Sequence, residues 1–138
     1  MRIVLDTGIL VSALITKDTP PDWLYQSWCK QAFTLVTSEE QLEEIKRVLS
    51  YKKLERFINQ SEAQILLEAL HRKADIATDL PFVELSPDPD DNRIIATALA
   101  GQADYLVSGD KADLLSLGMA HDIPILTARQ MAERLKLG

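Results

Sequence analysis

Four acidic residues, far apart in the chain, are the side chains most able to form a reactive site: Asp6, Glu44, Asp91 and Asp110. Three of them, Asp6, Asp91 and Asp110, follow extended apolar segments. Ligand sites in parallel α/β sheets form beyond the carboxyl ends of the strands, so we expect these three along one sheet edge. Gathered carboxylates repel each other unless a hard cation lies among them, and oxygen ligands select Mg²⁺ or Mn²⁺ over zinc. Such an ion can activate water and stabilise charge that develops on a phosphate.

Each of these aspartates can also be interpreted structurally. Asp is a favoured helix N-cap, so Asp91 and Asp110 could simply start helices. Asp6 directly follows the apolar run at residues 3–5, where an acid without a function is uncommon. The sequence alone therefore favours a functional role for Asp6 and leaves both interpretations open for the other two.

Helical geometry separates the neighbouring acids Glu43 and Glu44. Glu43 has Arg47 four residues later, the spacing of a surface ion pair. Glu44 has no basic residue at that spacing and lies beside the apolar stripe that contains Ile45 and Leu49. We therefore predict that Glu43 is solvated and that Glu44 points inward.

Helices and strands alternate along the segments that must position these acids. Apolar runs predict strands at residues 3–5, 33–36, 105–107 and 124–126, with a short extended stretch at 81–85. Ser38 and Gln41 form a capping-box pattern, Ser61 starts a helix predicted to reach about Ala77, and Asp91 opens a helix that Gly101 closes. Alternation with continuous apolar strands predicts a parallel sheet covered by helices on both faces.

Length and composition are those of one domain spanning residues 1–138. Cys29 is the only cysteine, which excludes an internal disulfide, and His71 and His121 lack a catalytic context. No run is long enough to cross a membrane, and Asp6 interrupts the apolar start that a signal peptide would need, so we expect a cytoplasmic protein. The net charge of −6 argues against a generic nucleic-acid binder. It is compatible with a nuclease whose carboxylates hold metal ions.

Four segments together match a known family. They are Leu5-Asp6-Thr7, Thr37-Ser38 followed by the run from Glu44 to Leu49, the run from Asp88 to Ala100, and the run from Ala103 to Leu115. With these motifs the sequence resembles PIN domains, and within them the toxins of bacterial toxin–antitoxin systems. The resemblance covers essentially the whole chain in order.

The resemblance implies a three-layer α/β/α sandwich with a central parallel sheet, and an endoribonuclease that uses Mg²⁺ or Mn²⁺. It places the family's acids on Asp6, Glu44, Asp91 and Asp110, with Asp113 as an auxiliary ligand. It also implies an RNA substrate, an antitoxin partner and a homodimer. One position departs from the family, because Gly8 stands where the family usually has an Asn beside the first acid.

The resulting hypothesis is a metal-dependent endoribonuclease in which Glu44 completes the metal shell or orients the attacking water. Thr7 and Ser108 could add hydroxyl contacts to the ligands or to phosphate. An aspartate-based phosphatase is disfavoured, because Gly8 occupies the position of its second Asp. A PIN-like module that binds RNA or a protein with little or no cleavage is the alternative. Candidate contacts to the RNA backbone are Lys46, Lys52, Lys53, Arg56, Arg93 and Lys111.

Overall fold

A six-stranded sheet forms the centre of the protein in the computed structural model, which describes residues 1–109 and 112–138, with only the backbone for Ala112 and Asp113. The strands are β1 (Arg2–Leu5), β2 (Thr34–Ser38), β3 (Asp75–Ala77), β4 (Tyr105–Ser108), β5 (Met119–Ala120) and β6 (Ile123–Thr127). Their order is β3-β2-β1-β4-β6-β5. All neighbouring pairs are parallel except β5 with β6, so the predicted parallel sheet is confirmed apart from one antiparallel edge strand.

Helices cover both faces of this sheet. They are α1 (Thr7–Ile15), α2 (Pro20–Cys29), α3 (Glu39–Leu49), α4 (Gln60–Lys73), α5 (Pro89–Ala100), α6 (Ala112–Leu115) and α7 (Ala128–Arg134), with a 3₁₀ helix at Lys52–Phe57. No helix in the described part of the chain has the length and apolar character of a membrane span.

Two hydrophobic cores, one on each face of the sheet, separate the sheet from its two layers of helices. Alternate residues of β1 point to opposite faces, because Ile3 and Leu5 belong to one core and Val4 to the other. The first core contains residues of α1, α2, α3, α4 and α7, and the second contains residues of α5 and α6. The expected α/β/α sandwich is therefore confirmed.

The segment after α4 is the main correction to the predicted elements. The predicted helix to Ala77 is wrong, since α4 ends at Lys73 and residues 75–77 form β3, where Ile76 pairs with Thr37 of β2. Asn59, rather than Ser61, caps α4 by accepting a hydrogen bond from the Glu62 N–H at 3.1 Å. Residues 81–85, predicted to be extended, contain no strand.

The packing of α3 against α5 decides where the site lies. The Ser38 hydroxyl, which caps α3, is 2.8 Å from the Thr97 hydroxyl in the second half of α5. Near the other end of α3, Arg47 lies 3.9 Å from Asp90 in the first turn of α5. The two helices are therefore antiparallel. As α3 leaves β2, it runs towards the N-terminal end of α5.

Candidate active site

Asp6 lies where β1 meets α1, and it is 1% exposed. Its backbone N–H donates to the Val107 carbonyl at 2.9 Å, which joins the end of β1 to β4. Its Oδ1 accepts from the Thr7 N–H at 2.8 Å, so Asp6 is the N-cap of α1, and its Oδ2 accepts from the Ser108 hydroxyl at 3.1 Å. Both oxygens are thus oriented by neighbours at the carboxyl edge of the sheet.

Glu44 reaches this edge from the middle of α3. It is half-buried whereas Glu43 is exposed, which confirms the distinction predicted from helical spacing. The Thr7 hydroxyl donates a short hydrogen bond to Glu44 Oε1. Because the Thr7 N–H also holds Asp6, one residue positions two of the candidate acids, which come from different elements.

Asp91 is buried in the first turn of α5, where it is 1% exposed. The prediction that Asp91 opens this helix is wrong, because Asp88 is the N-cap and accepts from the Asp90 N–H at 2.9 Å, followed by Pro89 at the first helical position. The Ser86 hydroxyl donates to Asp91 Oδ2 at 3.0 Å. The structural alternative for Asp91, helix capping, is thereby removed.

The remaining candidates fall where less of the chain is described. Asp110 and Lys111 lie outside the described residues, as does the side chain of Asp113. Among the residues that are described, no group of three or more Asp, Glu, His or Cys side chains is close enough to hold a metal ion. The structure thus brings Asp6 and Glu44 together through Thr7, and it places Asp91 next to Asp90, which Arg47 of α3 contacts.

A buried amide joins the start of α3 to the strand that carries Asp6. Gln41 is 3% exposed, its amide nitrogen donates to the Leu5 carbonyl at 2.7 Å, and its amide oxygen accepts from the Thr37 hydroxyl at 2.6 Å. Only half of the predicted capping box forms, since the Gln41 N–H donates to Ser38 Oγ at 3.2 Å while its side chain turns to β1. Sequence reasoning identified Gln41 but missed this positioning role.

A cavity of about 220 Å³ lies between α3 and α5, and Glu44, Arg47 and Arg93 are part of its lining. A hydrogen bond to Tyr51 is the main cause of a raised pKa for Arg47, and the carboxylates of Asp90 and Glu44 add to the rise. Arg47 therefore places a permanent positive charge beside the Glu44 carboxylate. The position suits an anionic group such as a phosphate that enters between the two helices.

Two positioning residues were not found from the sequence. Ser86 supplies the hydroxyl to Asp91, and Asn92 holds the preceding loop by accepting from the Leu85 and Ser86 N–H groups at 3.1 and 2.8 Å. The turn-rich composition of residues 86–91 predicted a loop but gave no sign of which hydroxyl faces the helix. Thr7 and Ser108 were identified, and the structure places both hydroxyls on carboxylates.

The donor set suits a hard divalent cation in its chemistry. Asp6, Glu44 and Asp91 offer only carboxylate oxygens, which are the ligands of Mg²⁺ and Mn²⁺, with neither Cys nor His among them. Asp6 and Asp91 are each 1% exposed, and a buried carboxylate gains most from a counter-charge.

The comparison with family models agrees with the fold. The model for the PIN domain matches residues 2–112, more than half of the chain, so the protein belongs to the PIN domain family. PIN domains are generally nucleases and typically use divalent metals. None of the curated proteins compared with the chain matches it.

Proposed function

We propose that this protein is a Mg²⁺- or Mn²⁺-dependent endoribonuclease whose site comprises Asp6, Glu44, Asp91 and Asp110. The observation that carries the proposal is the convergence of Asp6 and Glu44 on Thr7 at the carboxyl edge of a parallel sheet. Both side chains offer carboxylate oxygens, which are the ligands that Mg²⁺ and Mn²⁺ prefer. Family membership supports RNA as the substrate.

The roles we assign follow from how each side chain is held. Asp6, Asp91 and Asp110 would bind the ion, with Asp113 as an auxiliary ligand. When bound, the ion supplies positive charge and Lewis acidity to the phosphodiester. Thr7 fixes Glu44 through Oε1, so that the Glu44 carboxylate can complete the shell or orient the attacking water.

The direct test combines cleavage with metal binding. A fluorophore–quencher RNA should be cut in Mn²⁺ or Mg²⁺ and left intact in EDTA, and Asp6→Asn should lower the rate about a hundredfold or more, since even outer-shell changes cost ten- to a hundredfold. Mn²⁺ should also raise the Tm of the unmodified protein but not that of Asp6→Asn. The control is Asp104→Asn, because Asp104 precedes β4 and accepts a hydrogen bond from the Arg2 N–H at the amino edge of the sheet. Cleavage by Asp6→Asn at the unmodified rate would refute the proposal.

The biological context is the finer part of the proposal. We infer that the chain forms one nuclease domain over residues 1–138, because β6 and α7 beyond the matched region complete the same sheet and core. The motifs that resemble toxins support a toxin role in the cytoplasm, with an antitoxin partner and a homodimer. Growth arrest on expression of the protein, relieved by Asp6→Asn, would support the toxin role, and sedimentation analysis would test the dimer.

The alternative is a PIN-like module that binds RNA or a protein and cleaves weakly or not at all. Gly8, in place of the family's usual Asn, is the observation that favours it. Gly8 is exposed in the first turn of α1, next to Thr7. The polar side chain of the family's usual Asn is therefore missing beside the site. RNA binding in EDTA without cleavage in Mn²⁺ would establish this alternative.

A further inference from the structure

Positive charge is concentrated in one short segment of this acidic protein. Residues 46–57 contain five basic side chains, Lys46, Arg47, Lys52, Lys53 and Arg56, and a single acid, Glu55, which gives a charge of +4. Because the whole chain carries −6, the other 126 residues carry −10. A local excess of this kind is the electrostatic footprint expected of a surface that meets a polyanion. We call residues 46–57 the basic patch.

Exposed aromatic rings accompany these charges. Tyr51 is 39% exposed and Phe57 is 48% exposed, and they are two of the three exposed aromatic residues in the described part of the chain, with Phe82. Lys53 lies 5.8 Å from the centre of the Tyr51 ring, and Arg56 lies 4.7 Å from the centre of the Phe57 ring. Rings of this kind offer stacking surfaces to unpaired bases, while the adjacent cations can meet phosphates.

The basic patch leads directly from the candidate active site. Arg47 lines the same cavity as Glu44 and contacts Asp90 at the start of α5. Arg47 is also hydrogen-bonded to Tyr51, the residue that precedes the 3₁₀ helix, so the Tyr51 side chain adjoins the residue that lines the cavity. A strand bound near Asp6 and Glu44 can therefore extend along α3 onto Tyr51 and beyond.

We propose that the basic patch is the docking surface for single-stranded RNA, holding the nucleotides that flank the cleaved bond. This inference rests on the proposed function for the identity of the polyanion. The lysines and arginines contact backbone phosphates, and Tyr51 and Phe57 stack against unpaired bases. Bases in an A-form duplex are already stacked on each other, so the exposed rings favour a single strand.

The charge contribution is tested by binding in EDTA, where cleavage plays no part. A fluorescein-labelled 12-nucleotide single-stranded RNA is titrated with the protein at several salt concentrations. Lys52→Gln/Lys53→Gln should weaken binding about fivefold or more at low salt. The double substitution should also reduce the slope of log K against log[salt] by about 1.4, because each phosphate that is no longer neutralised accounts for about 0.7.

The matched control is Arg72→Gln/Lys73→Gln, which removes the same charge from exposed residues. Lys73 ends α4 beside Met1 and Thr34, at the amino ends of β1 and β2 and thus at the opposite edge of the sheet. This control should bind RNA with the affinity and salt slope of the unmodified protein. Equal losses of affinity in both double variants would reduce the effect to net charge and overturn the proposal.

The stacking contribution is tested at Phe57. Phe57→Ala should weaken binding of the single strand about fivefold or more, Phe57→Trp should retain it, and a 12-base-pair RNA duplex should bind more weakly than the single strand. Unchanged binding in Phe57→Ala, or tighter binding of the duplex, would overturn the proposal. RNA binding through the basic patch without cleavage in Mn²⁺ would refute the proposed nuclease and support the docking surface. Cleavage in Mn²⁺ with unchanged RNA affinity in every patch variant would support the nuclease and refute the docking surface.

Discussion

The buried amide of Gln41 should be one of the most sensitive positions in the protein, and Gln41→Leu measures its contribution. Leu and Gln have similar volumes, so the substitution removes the hydrogen bonds while the space that the Gln41 side chain occupies stays nearly filled. It takes a donor from the Leu5 carbonyl at 2.7 Å and an acceptor from the Thr37 hydroxyl at 2.6 Å. Thr37 is 1% exposed and Leu5 is also 1% exposed, so water is poorly placed to replace the missing partner.

The magnitude follows from these two buried groups. A buried polar group that loses its partner costs about 1–3 kcal/mol, so two such groups lower the free energy of unfolding by about 3 kcal/mol. For a chain of this size, about 3 °C per kcal/mol gives a fall in Tm of about 9 °C. Urea unfolding followed by far-ultraviolet circular dichroism measures the free energy directly.

A second substitution separates the effect of the hydrogen bonds from the effect of shape. Thr37→Val removes the hydroxyl that donates to the Gln41 amide oxygen. The double variant Thr37→Val/Gln41→Leu therefore contains no Thr37 hydroxyl that has lost its acceptor. Its loss of stability should be smaller than the sum of the single losses by about 1 kcal/mol or more. Gln64→Leu is the control, because the Gln64 amide bonds Glu68 on the exposed face of α4 and should change stability by about 0.5 kcal/mol at most. A loss below about 1 kcal/mol for Gln41→Leu, or additive single losses, would refute the reasoning.

Three further substitutions test the surroundings of the site. Thr7→Val keeps the N–H that caps Asp6 but removes the hydroxyl from Glu44, so kcat for RNA cleavage should fall about ten- to a hundredfold and Thr7→Ser should retain it. Gly8→Ala should raise the free energy of unfolding by about 0.5–1 kcal/mol, because Gly8 is an exposed helical position with open space for a Cβ; a destabilised variant in urea unfolding would contradict this. Gly101→Ala should lower the free energy of unfolding by about 1–3 kcal/mol, because the new Cβ would lie 2.3 Å from a methyl carbon of Val36. Unchanged stability in urea unfolding would count against that clash.

Strong local patterns made part of the fold predictable. The apolar runs that became β1 and β4 are largely buried in the sheet, the run that became β6 is partly buried, and the helix that became α5 has a clear apolar face. Helical spacing separated Glu44 from Glu43, since the orientation of a side chain on a helix follows from its position alone. The sequence therefore predicted the fold class and the different exposure of Glu43 and Glu44 before any tertiary contact was known.

Features that depend on partners from distant segments were not predictable. Residues 75–77 are strand only because β2 pairs with them, and a three-residue edge strand has no periodicity of its own to distinguish it from the end of a helix. Asp88, Asp90 and Asp91 are all acceptable N-caps, and the fold selects Asp88 because Pro89 fits the first helical position. Local preference left this choice open.

The way the described acids are held suits the proposed metal site. Each of the three described candidate acids accepts a hydrogen bond from a hydroxyl group: Asp6 from Ser108, Glu44 from Thr7 and Asp91 from Ser86. The first two donors are distant in sequence, and the third is five residues away. A hydroxyl donor orients a carboxylate without neutralising its charge, whereas a lysine or arginine at the same place would compete with a cation for it. Replacing Ser108 by Ala should therefore loosen Asp6 and reduce the Mn²⁺-dependent rise in Tm, and a rise equal to that of the unmodified protein would count against this role.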